Sequence, residues 1–467
     1  MTDTGSHGQL ADLDAHAQAS LVQRGVVSPS APVEAAIARI EALDSLTNAV
    51  SHRAFDHARK AARTVDRMAP MAGVPYLLKA SMEYPGFPQV SGSRACSSRM
   101  AKRQYPFSQR LDEAGLIPCG MSTMPEFGLL GTGEALLYGP TRNPWDLDRT
   151  AGGSSSGSAV AVATGMVPFA TGSDGGGSIR IPASHCGIIG FKPSRDWNLR
   201  ARASNLVDDL LASDALYGRS MRDTIWAARL LRRQPPVAPV AKTGLRIAVS
   251  LRGLDGELAA PEIVAMIERS ATLCEAIGHH VEHRELPIDH QALSRAFDVL
   301  WSYGGGDVAD AFAGTGEDGQ PRLEPWTLGL AARRDAMTPD DLAEALAQLA
   351  LLHQSLEAYW QDYDVVLSPV TSDTAPLVGV LAPDRAFDAL WRDHFRHVNY
   401  TQLQNLGGFP GISLPLFEAA PGVPAGAMFW ARRGADDLLL ALGAQLEEAQ
   451  PWASRRPPLI LRSAEAA

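Results

Sequence analysis

Serines in one glycine-rich stretch are the residues of this chain best suited to nucleophilic chemistry. The stretch runs from residue 152 to 184 and reads GGSSSGSAVAVATGMVPFATGSDGGGSIRIPAS. It places Ser154, Ser155 and Ser156 together, then Ser178 directly behind three glycines, and it contains no histidine. A serine hydroxyl is a weak nucleophile and needs a base within hydrogen-bond reach. Both the reactive serine and its base must therefore be identified.

Three functional patterns can be compared with this stretch. A phosphate-binding P-loop requires Gly-Lys followed by Ser or Thr, and GGGSIR lacks the lysine, so this class is disfavoured. Residues 153–157 match a Gly-x-Ser-x-Gly nucleophile elbow around Ser155. That motif follows a strand, however, and the preceding TRNPWDLDRTA, with Pro144 inside it, reads as a loop. In the third pattern, backbone N–H groups of residues 175–177 form an oxyanion hole beside Ser178.

A lysine is the candidate base for such a serine. Lys79 follows the apolar run VPYLL at 74–78, where the end of a strand would direct its side chain into the interior. Burial favours the neutral amine, which can accept a proton. A single lysine behind a strand is more commonly a solvated surface residue. From the residues alone, the elbow and the oxyanion-hole interpretations both stay open.

These segments resemble the motifs of the amidase signature family, whose members use a Ser-cisSer-Lys triad. The resembling segments are GGSSSGS at 152–158, GSDGGGSIRIPAS at 172–184, GVPYLLKAS at 73–81, MPEFG at 124–128, GPTRNPWD at 139–146 and NLGGFPGISLP at 405–415. The resemblance extends from residue 30 or so to the C-terminus, with the most specific motifs in 73–194.

The resemblance implies a role for each motif residue. Ser178 would be the acyl-enzyme nucleophile, Ser154 the bridging serine after a cis peptide bond, and Lys79 the base. A proton would pass from Ser178 through Ser154 to neutral Lys79, and back to the departing amine. No metal and no cofactor would take part. The oxyanion hole would be formed by the backbone N–H groups of Gly175, Gly176, Gly177 and Ser178.

Three positions discriminate within the family pattern. Ala80 stands after the lysine where the family usually has Asp, and we expect this to loosen the local support of the base. Ser156 replaces a usual glycine. Ile181, in SIRIP, stands where glutaminyl amidotransferase A-type subunits carry Gln, which favours a free-standing hydrolase over a subunit acting with a partner chain. The motifs and the C-terminal PWASRRPPL most resemble bacterial nylon-oligomer and urethane-cleaving amidases.

The predicted function is therefore that of a metal-free amidohydrolase working through an acyl-enzyme on Ser178. Its substrates are expected to be small, largely apolar amides, with anilides and carbamates as further candidates. Substrate contacts are expected from apolar and aromatic side chains, namely Leu129, Leu130, Ile179, Trp301, Trp326, Phe409 and Met428.

Other polar residues of the motifs are expected to be structural. Hydrogen bonds that support the loops are predicted for Ser155, Ser156, Asp174, Arg180, Glu126 and Asn143. His279, His280 and His283 alternate imperfectly on a strand-like segment. No cluster of acidic or cysteine ligands accompanies them in the sequence, so a metal site there is disfavoured.

Apolar periodicity places the motifs on alternating strands and helices. The first 70 residues read as helices, with strands predicted at 74–78, 116–119, 246–250, 364–368 and 411–415, and later helices at 261–278, 339–361 and 435–449. This alternation predicts an α/β fold in a single large domain, with a central, mostly parallel mixed sheet covered by helices on both faces. We expect 1–70 to pack as a helical segment on a 71–467 domain, with a helical substrate lobe around 285–360 and a Pro-rich internal connection at 232–244.

Composition excludes several other classes of protein. The net charge of −10, without a Lys/Arg run, argues against nucleic-acid binding. The four cysteines lack metal or disulfide spacing, and neither a signal peptide nor a transmembrane stretch is apparent. We therefore expect a cytoplasmic monomer or homodimer that binds a small-molecule amide or carbamate and neither nucleic acid nor membrane.

Overall fold

The structure is a computed structural model that describes residues 4–201, 206–233, 243–316 and 319–460. Most of the predicted Pro-rich connection at 232–244 lies outside the described residues. The helices are α1 Thr4–Asp12, α2 Ala15–Gln23, α3 Ser30–Thr47, α4 Phe55–Thr64, α5 Pro106–Glu113, α6 Ser156–Ala163, α7 Arg180–Cys186, α8 Leu206–Leu211, α9 Met221–Leu231, α10 Pro261–Ala276, α11 His290–Phe312, α12 Pro325–Asp335, α13 Pro339–Glu357, α14 Tyr359–Asp362, α15 Phe387–His397, α16 Gln402–Leu406 and α17 Asp436–Ala449. The strands are β1 Val50–Arg53, β2 Pro75–Lys79, β3 Ile117–Ser122, β4 Glu134–Ala135, β5 Gly139–Pro140, β6 Phe169–Asp174, β7 Gly190–Lys192, β8 Ser213–Tyr217, β9 Arg246–Val249, β10 His280–His283, β11 Val365–Pro369, β12 Gly411–Leu414, β13 Glu418–Ala420, β14 Val423–Pro424 and β15 Ala427–Trp430.

Two sheets form the centre of the molecule, in the strand orders β1-β3-β2-β6-β8 and β10-β9-β11-β15-β12-β7. They meet at their edges, because Ile189 beside β7 and Gly218 beside β8 form an isolated antiparallel bridge. The neighbours β3–β2–β6 and β10–β9–β11 pair in parallel, and the remaining pairs of these two sheets are antiparallel. The α/β class and the mixed pairing predicted from the sequence are confirmed, as are the five predicted strands. The strands form two sheets, however, and of the nine strand pairs described in them four are parallel and five antiparallel.

Burial on both faces explains the composition of the strands that carry the motifs. β2 and β6 are buried at every position, as expected of parallel strands covered by helices on both sides. α6, with the sequence SGSAVAVA, is buried along its whole length and packs against β2, β3 and β6. Its small side chains allow close approach to the sheet, so the serine loop that precedes α6 lies at the carboxyl ends of β2 and β6.

The N-terminal residues are mainly helical, and they also contribute a strand. Val33, Ile37 and Ile40 of α3 are buried, in agreement with the predicted apolar face. β1, however, pairs antiparallel with β3, so residues 1–70 do not form helices alone. β1 was not predicted, because VSHR is short and three of its four residues are polar.

Three helices occupy the region predicted to form a substrate lobe. α11 packs against both α12 and α13, and α11 carries Trp301 on a wall of the cavity described below. The division into 1–70, 71–467 and a lobe around 285–360 stays a prediction. In the ranges given above, no helix is both long enough and apolar enough to cross a membrane.

Candidate active site

Lys79 ends β2 and lies almost entirely inside the protein, with 1% of its surface exposed. β2 runs parallel to β6, so the carboxyl ends of the two strands meet at one edge of the sheet. The Lys79 amine donates to Ser154 Oγ at 2.8 Å, to Ser173 Oγ at 2.8 Å and to the Ser173 carbonyl oxygen at 3.4 Å. Ser173 was not recognised in the sequence, where nothing in its spacing marks it as a partner of the lysine. Its hydroxyl supports the amine although Ala80 replaces the usual Asp.

Ser154 lies in the loop before α6, directly after a cis peptide bond with Gly153. A side chain at Gly153 could not fit, since a Cβ there would lie 2.1 Å from the carbonyl oxygen of Thr132. The neighbouring Ser155 is fully buried, and its hydroxyl donates to the Ser173 carbonyl oxygen at 3.3 Å. A hydroxyl that is buried and bonded to the backbone is not presented to a substrate, so Ser155 does not have the position of a nucleophile in an elbow.

The backbone joins the two serine loops directly. The Ser155 N–H donates to the carbonyl oxygen of Ser178 at 3.2 Å. The hydroxyl of Ser156 donates to the Thr123 carbonyl oxygen at 3.4 Å, so the residue that departs from the family's glycine bonds to the backbone. The loop that carries Ser178 is thereby held beside the loop that carries Ser154.

A fully buried ion pair holds the loop of Ser178. Asp174 accepts hydrogen bonds from the backbone N–H groups of Gly177 at 2.7 Å and Ile179 at 3.1 Å. The Arg180 guanidinium donates to both carboxylate oxygens of Asp174, each at 2.9 Å. Burial would raise the pKa of Asp174, but the adjacent Arg180 outweighs it and holds that pKa well below its usual range. Asp174 therefore stays ionised and fixes the turn that precedes Ser178.

The contact between Asp174 and Gly177 corrects one part of the predicted oxyanion hole. The Gly177 N–H already donates to Asp174, so it is not free to face a developing oxyanion. Within the described chain, the N–H groups of Gly175, Gly176 and Ser178 donate to no protein acceptor, and they are the remaining candidates. Gly177 has φ +129°, and a Cβ there would lie 2.2 Å from Thr401 Oγ1, so the position requires glycine.

Lys79, Ser154 and Ser178 line one cavity of about 680 Å³. Its apolar walls include Leu129 and Trp301, both predicted from the sequence, and further residues that were not predicted, namely Phe127, Val207, Leu211, Val308 and Phe312. A signal for part of this wall existed, because Trp301, Val308 and Phe312 fall on one face of α11 by helical spacing.

Four of the predicted substrate contacts lie away from the cavity that contains Ser178. Leu130 lines a small void beside Ser178 rather than the cavity itself. The side chains that line neither the void nor the cavity are those of Ile179, Trp326, Phe409 and Met428. Each packs in the core. The Trp326 indole lies behind the cavity wall and donates to the Leu129 carbonyl oxygen at 3.0 Å. The sulfur of Met428 accepts from the Arg180 guanidinium at 3.5 Å.

Glu126 and Asn143 make the supporting hydrogen bonds expected of them. The Glu126 carboxylate accepts from Ser93 Oγ at 2.7 Å and from Thr327 Oγ1 at 2.6 Å, which ties the loop beside the cavity to α12. Burial raises the pKa of Glu126, and these hydrogen bonds oppose the rise. The Asn143 side chain donates to the His185 carbonyl oxygen at 2.9 Å.

Buried histidines lie behind the serine loops. His185 and His397 place their Nε2 atoms 3.3 Å apart, and His394 Nε2 accepts from the Gly131 N–H at 2.8 Å. Burial lowers the pKa of His397 to about 4 and that of His394 to about 3. Over the residues described, no hydrogen bond joins a histidine to Ser178 or Ser154. Nor does any group of three or more His, Cys, Asp or Glu residues in those ranges have a geometry that could hold a metal ion.

Comparisons with known proteins show the family of this chain. The family model described as Amidase matches residues 31–440. The chain belongs to the amidase signature family. It is 38% identical over 468 residues to the AmiC protein of Mycobacterium tuberculosis (strain ATCC 25618 / H37Rv), covering 97% of each chain. It is also 33% identical over 488 residues to a 6-aminohexanoate-cyclic-dimer hydrolase of Pseudomonas sp. (strain NK87), covering 96% of this chain and 97% of the relative.

The same relationship holds between structures. The solved structure of 6-aminohexanoate cyclic dimer hydrolase with its substrate superposes with a TM-score of 0.87 at 30% identity, covering 96% of this chain and 99% of that one. The amidase signature protein described here is thus an amidohydrolase, acting on C–N amide bonds. The amidase signature resemblance seen in its motifs is confirmed.

Breaking the buried ion pair should strongly destabilise the protein. Arg180→Met leaves the Asp174 carboxylate buried without its counter-charge, so we expect a loss of about 3–5 kcal/mol in the free energy of unfolding at pH 7. The matched control is Arg59→Met, which breaks the exposed pair with Glu34 and should cost below about 1 kcal/mol. Urea unfolding followed by circular dichroism measures both. Equal, small losses would show that the pair does not anchor the loop.

The buried histidines should make stability fall in acid. The pKa of His397 is about 4 in the fold and 6.5 in the unfolded chain. Between these two pH values the imidazole is therefore protonated in the unfolded chain and neutral in the folded protein. Stability should therefore fall as pH drops from about 6.5 to about 4, and His397→Gln should reduce that fall by roughly 1–3 kcal/mol. Urea midpoints across this pH range measure the slope. His283→Gln, at an exposed strand position, is the control, and an unchanged slope for His397→Gln would refute the assignment.

Proposed function

We propose that Ser178 is the acyl-enzyme nucleophile of this amidase and that Ser154 and Lys79 relay its proton. The observation that carries the proposal is the 2.8 Å contact between Lys79 Nζ and Ser154 Oγ, at the wall of a cavity that Ser178 shares. A nucleophile, a bridging hydroxyl and a buried amine are then present together, and a neutral amine is able to accept a proton.

Acylation of Ser178 forms one bond and breaks another. Ser178 Oγ attacks the amide carbonyl carbon while its proton passes to Ser154 Oγ, whose own proton passes to neutral Lys79 Nζ. Backbone N–H groups of Gly175, Gly176 and Ser178 stabilise the oxyanion of the tetrahedral intermediate. The C–N bond then breaks, and Lys79 returns the proton through Ser154 to the departing nitrogen. An ester on Ser178 and a free amine result.

Deacylation uses the same proton relay, with water in place of Ser178 as the proton donor and Ser178 in place of the leaving nitrogen as the final acceptor. A water oxygen attacks the ester carbonyl carbon, and its proton passes through Ser154 to Lys79. The bond between the carbonyl carbon and Ser178 Oγ breaks, and the serine oxygen takes the proton back. The carboxylic acid leaves, and the three side chains return to their starting protonation states.

The cavity favours small, largely apolar amides as substrates. A volume of about 680 Å³ is typical of a small-molecule site. Its aromatic and aliphatic walls are accompanied by charged side chains, among them Arg99, Asp307 and Asp310. The similarity to 6-aminohexanoate-cyclic-dimer hydrolases supports an aliphatic acyl portion. Anilides and carbamates have the same reacting C–N bond next to a carbonyl group, and we include them in the proposal.

A free-standing hydrolase fits the site better than a glutaminyl amidotransferase subunit. Ile181 lies 2% exposed on the wall of the small void beside Ser178, so its apolar side chain is part of the reaction site. Amidotransferase subunits carry a glutamine there. The predicted monomer or homodimer and the predicted cytoplasmic location stay predictions.

A fluorophosphonate probe should label Ser178 alone. The probe reacts with an activated serine, and peptide mapping by mass spectrometry identifies the modified residue. Ser178→Ala should remove the label, whereas Ser155→Ala should keep it. Ser154→Ala should slow labelling less than Ser178→Ala does, because a water can bridge the gap between Ser178 and Lys79. Modification of Ser155 in place of Ser178 would support the nucleophile elbow and refute the proposal.

A substrate panel should separate the proposed activity from its alternative. Purified protein alone should release amine from aliphatic amides and anilides. Carbamates should react more slowly, since their ester oxygen donates into the carbonyl in addition to the nitrogen and makes it less electrophilic. Glutamine should be a poor substrate because its charged α-amino and α-carboxylate groups would lose hydration against Phe127, Leu129 and Trp301. Efficient hydrolysis of glutamine with inactivity toward every apolar amide would favour the amidotransferase subunit. Product amines are measured by liquid chromatography.

A further inference from the structure

A second cavity lies on the other side of the residues that surround Ser178. Its volume is about 1000 Å³, and Leu258 and Val380 on its walls are 54% and 42% exposed, so it opens to bulk solvent. It does not contain Ser178. The small void that Leu130 and Ile181 line lies between this second cavity and Ser178.

This void separates the second cavity from Ser178. It has a volume of about 10 Å³ and is lined by Gly176 and Ser178 on the side of the nucleophile. Three residues line both the void and the second cavity, namely Phe297, Phe395 and Gln402. A void of this size accommodates about one water molecule. The void and the second cavity are therefore adjoining spaces divided by three side chains.

Two of the polar side chains around the void have hydrogen-bonding groups that the described part of the chain does not satisfy. The Gln402 side chain is 3% exposed and takes part in no hydrogen bond there, and His394, which accepts from Gly131 at Nε2, keeps its buried Nδ1 without an acceptor. Buried polar groups are almost always hydrogen-bonded, to protein or to ordered water. The Ser178 hydroxyl and the Gly176 backbone supply further polar groups at the same void. The site is thus built to hold water.

We propose that the void beside Ser178 holds the water that hydrolyses the acyl-enzyme, and that this water enters from the second cavity past Gln402. The proposal rests on the proposed acyl-enzyme on Ser178. While the ester persists, an apolar acyl group fills the main cavity and obstructs water from that side. A separate route lets water reach the ester carbonyl carbon while the acyl group stays bound.

In the deacylation step, the Gln402 side-chain amide binds and orients the incoming water without exchanging a proton with it. The water moves from the void to the ester carbonyl carbon on Ser178, where its oxygen forms the new bond. Its proton is taken up on the side of the main cavity, by Ser154 and then Lys79, which line that cavity with Ser178. Phe297 and Phe395 limit the passage by size, since their rings pack edge to face at 6.1 Å between centroids. Gln402 is therefore a positioning residue for deacylation, with no role in acylation.

The test separates acylation from deacylation. Single-turnover reactions with a p-nitroanilide are followed by nitroaniline release for acylation and by intact mass of the acylated protein for deacylation. Gln402→Met keeps the side-chain length and removes the hydrogen-bonding groups. We expect deacylation to slow by about tenfold, with acylation within about twofold of wild type, as for the loss of one hydrogen bond to the water. Gln18→Met, the same change at a buried position of α2 that lines neither cavity, should leave the deacylation rate constant unchanged.

A second variant should make the ester on Ser178 more accessible from the second cavity. Phe395→Ala widens the passage, so added hydroxylamine, a nucleophile larger than water, should trap more of the acyl group as hydroxamate relative to acid. Unchanged deacylation in Gln402→Met, or unchanged trapping in Phe395→Ala, would overturn the water route even though the acylated protein is observed. Absence of any acyl mass on Ser178 in the wild-type protein would instead refute the proposed function. Circular dichroism verifies the fold of each variant.

Discussion

The hydrogen bond between Lys79 Nζ and Ser154 Oγ is the interaction on which the rest of the site depends. It brings together a strand end and a loop 75 residues later in the chain. Placing an amine in the interior is costly unless polar partners surround it, and here Ser173 supplies a hydroxyl and a carbonyl oxygen. The parallel alignment of β2 and β6 and the tight packing of α6 are what bring these groups within reach. The architecture of the sheet therefore determines the environment of the proposed base.

A second constraint acts on the loop of Ser178 and comes from a distant part of the sequence. Thr401 Oγ1 donates to the Gly176 carbonyl oxygen at 2.7 Å, and the Asn405 side chain donates to the Asp174 carbonyl oxygen at 2.9 Å. Both residues lie at α16, which precedes β12 in the chain. The Asp174–Arg180 pair completes this support from within the loop. The loop of the oxyanion donors is consequently held by a segment that lies 225 or more residues away in the sequence.

The sequence was most informative where the backbone limits the choice of residue. Glycines at 153 and 177 leave no room for a side chain, so their motifs are recognisable without coordinates, and the amidase fold follows from them. Substrate contacts were harder to predict, because Trp326, Phe409 and Met428 have the composition of a pocket but pack in the core. Position in the fold separates a cavity wall from a core residue, and local sequence does not encode it. The Gly177 contact with Asp174 was missed for the same reason.

The pH dependence of kcat/KM in Lys79 variants tests the proposed relay most directly. Wild-type kcat/KM on a p-nitroanilide should rise with pH as the Lys79 amine loses its proton. Lys79→Ala should remove this rising limb of the pH profile. It should also lower turnover by about 10³-fold or more, since nucleophile and base act as a unit. Lys79→Arg is the matched variant, because it keeps the positive charge and cannot deprotonate in this range. The account predicts that Lys79→Arg is as inactive as Lys79→Ala. Near wild-type turnover with the rising limb intact in Lys79→Arg would contradict it and make Lys79 a structural cation.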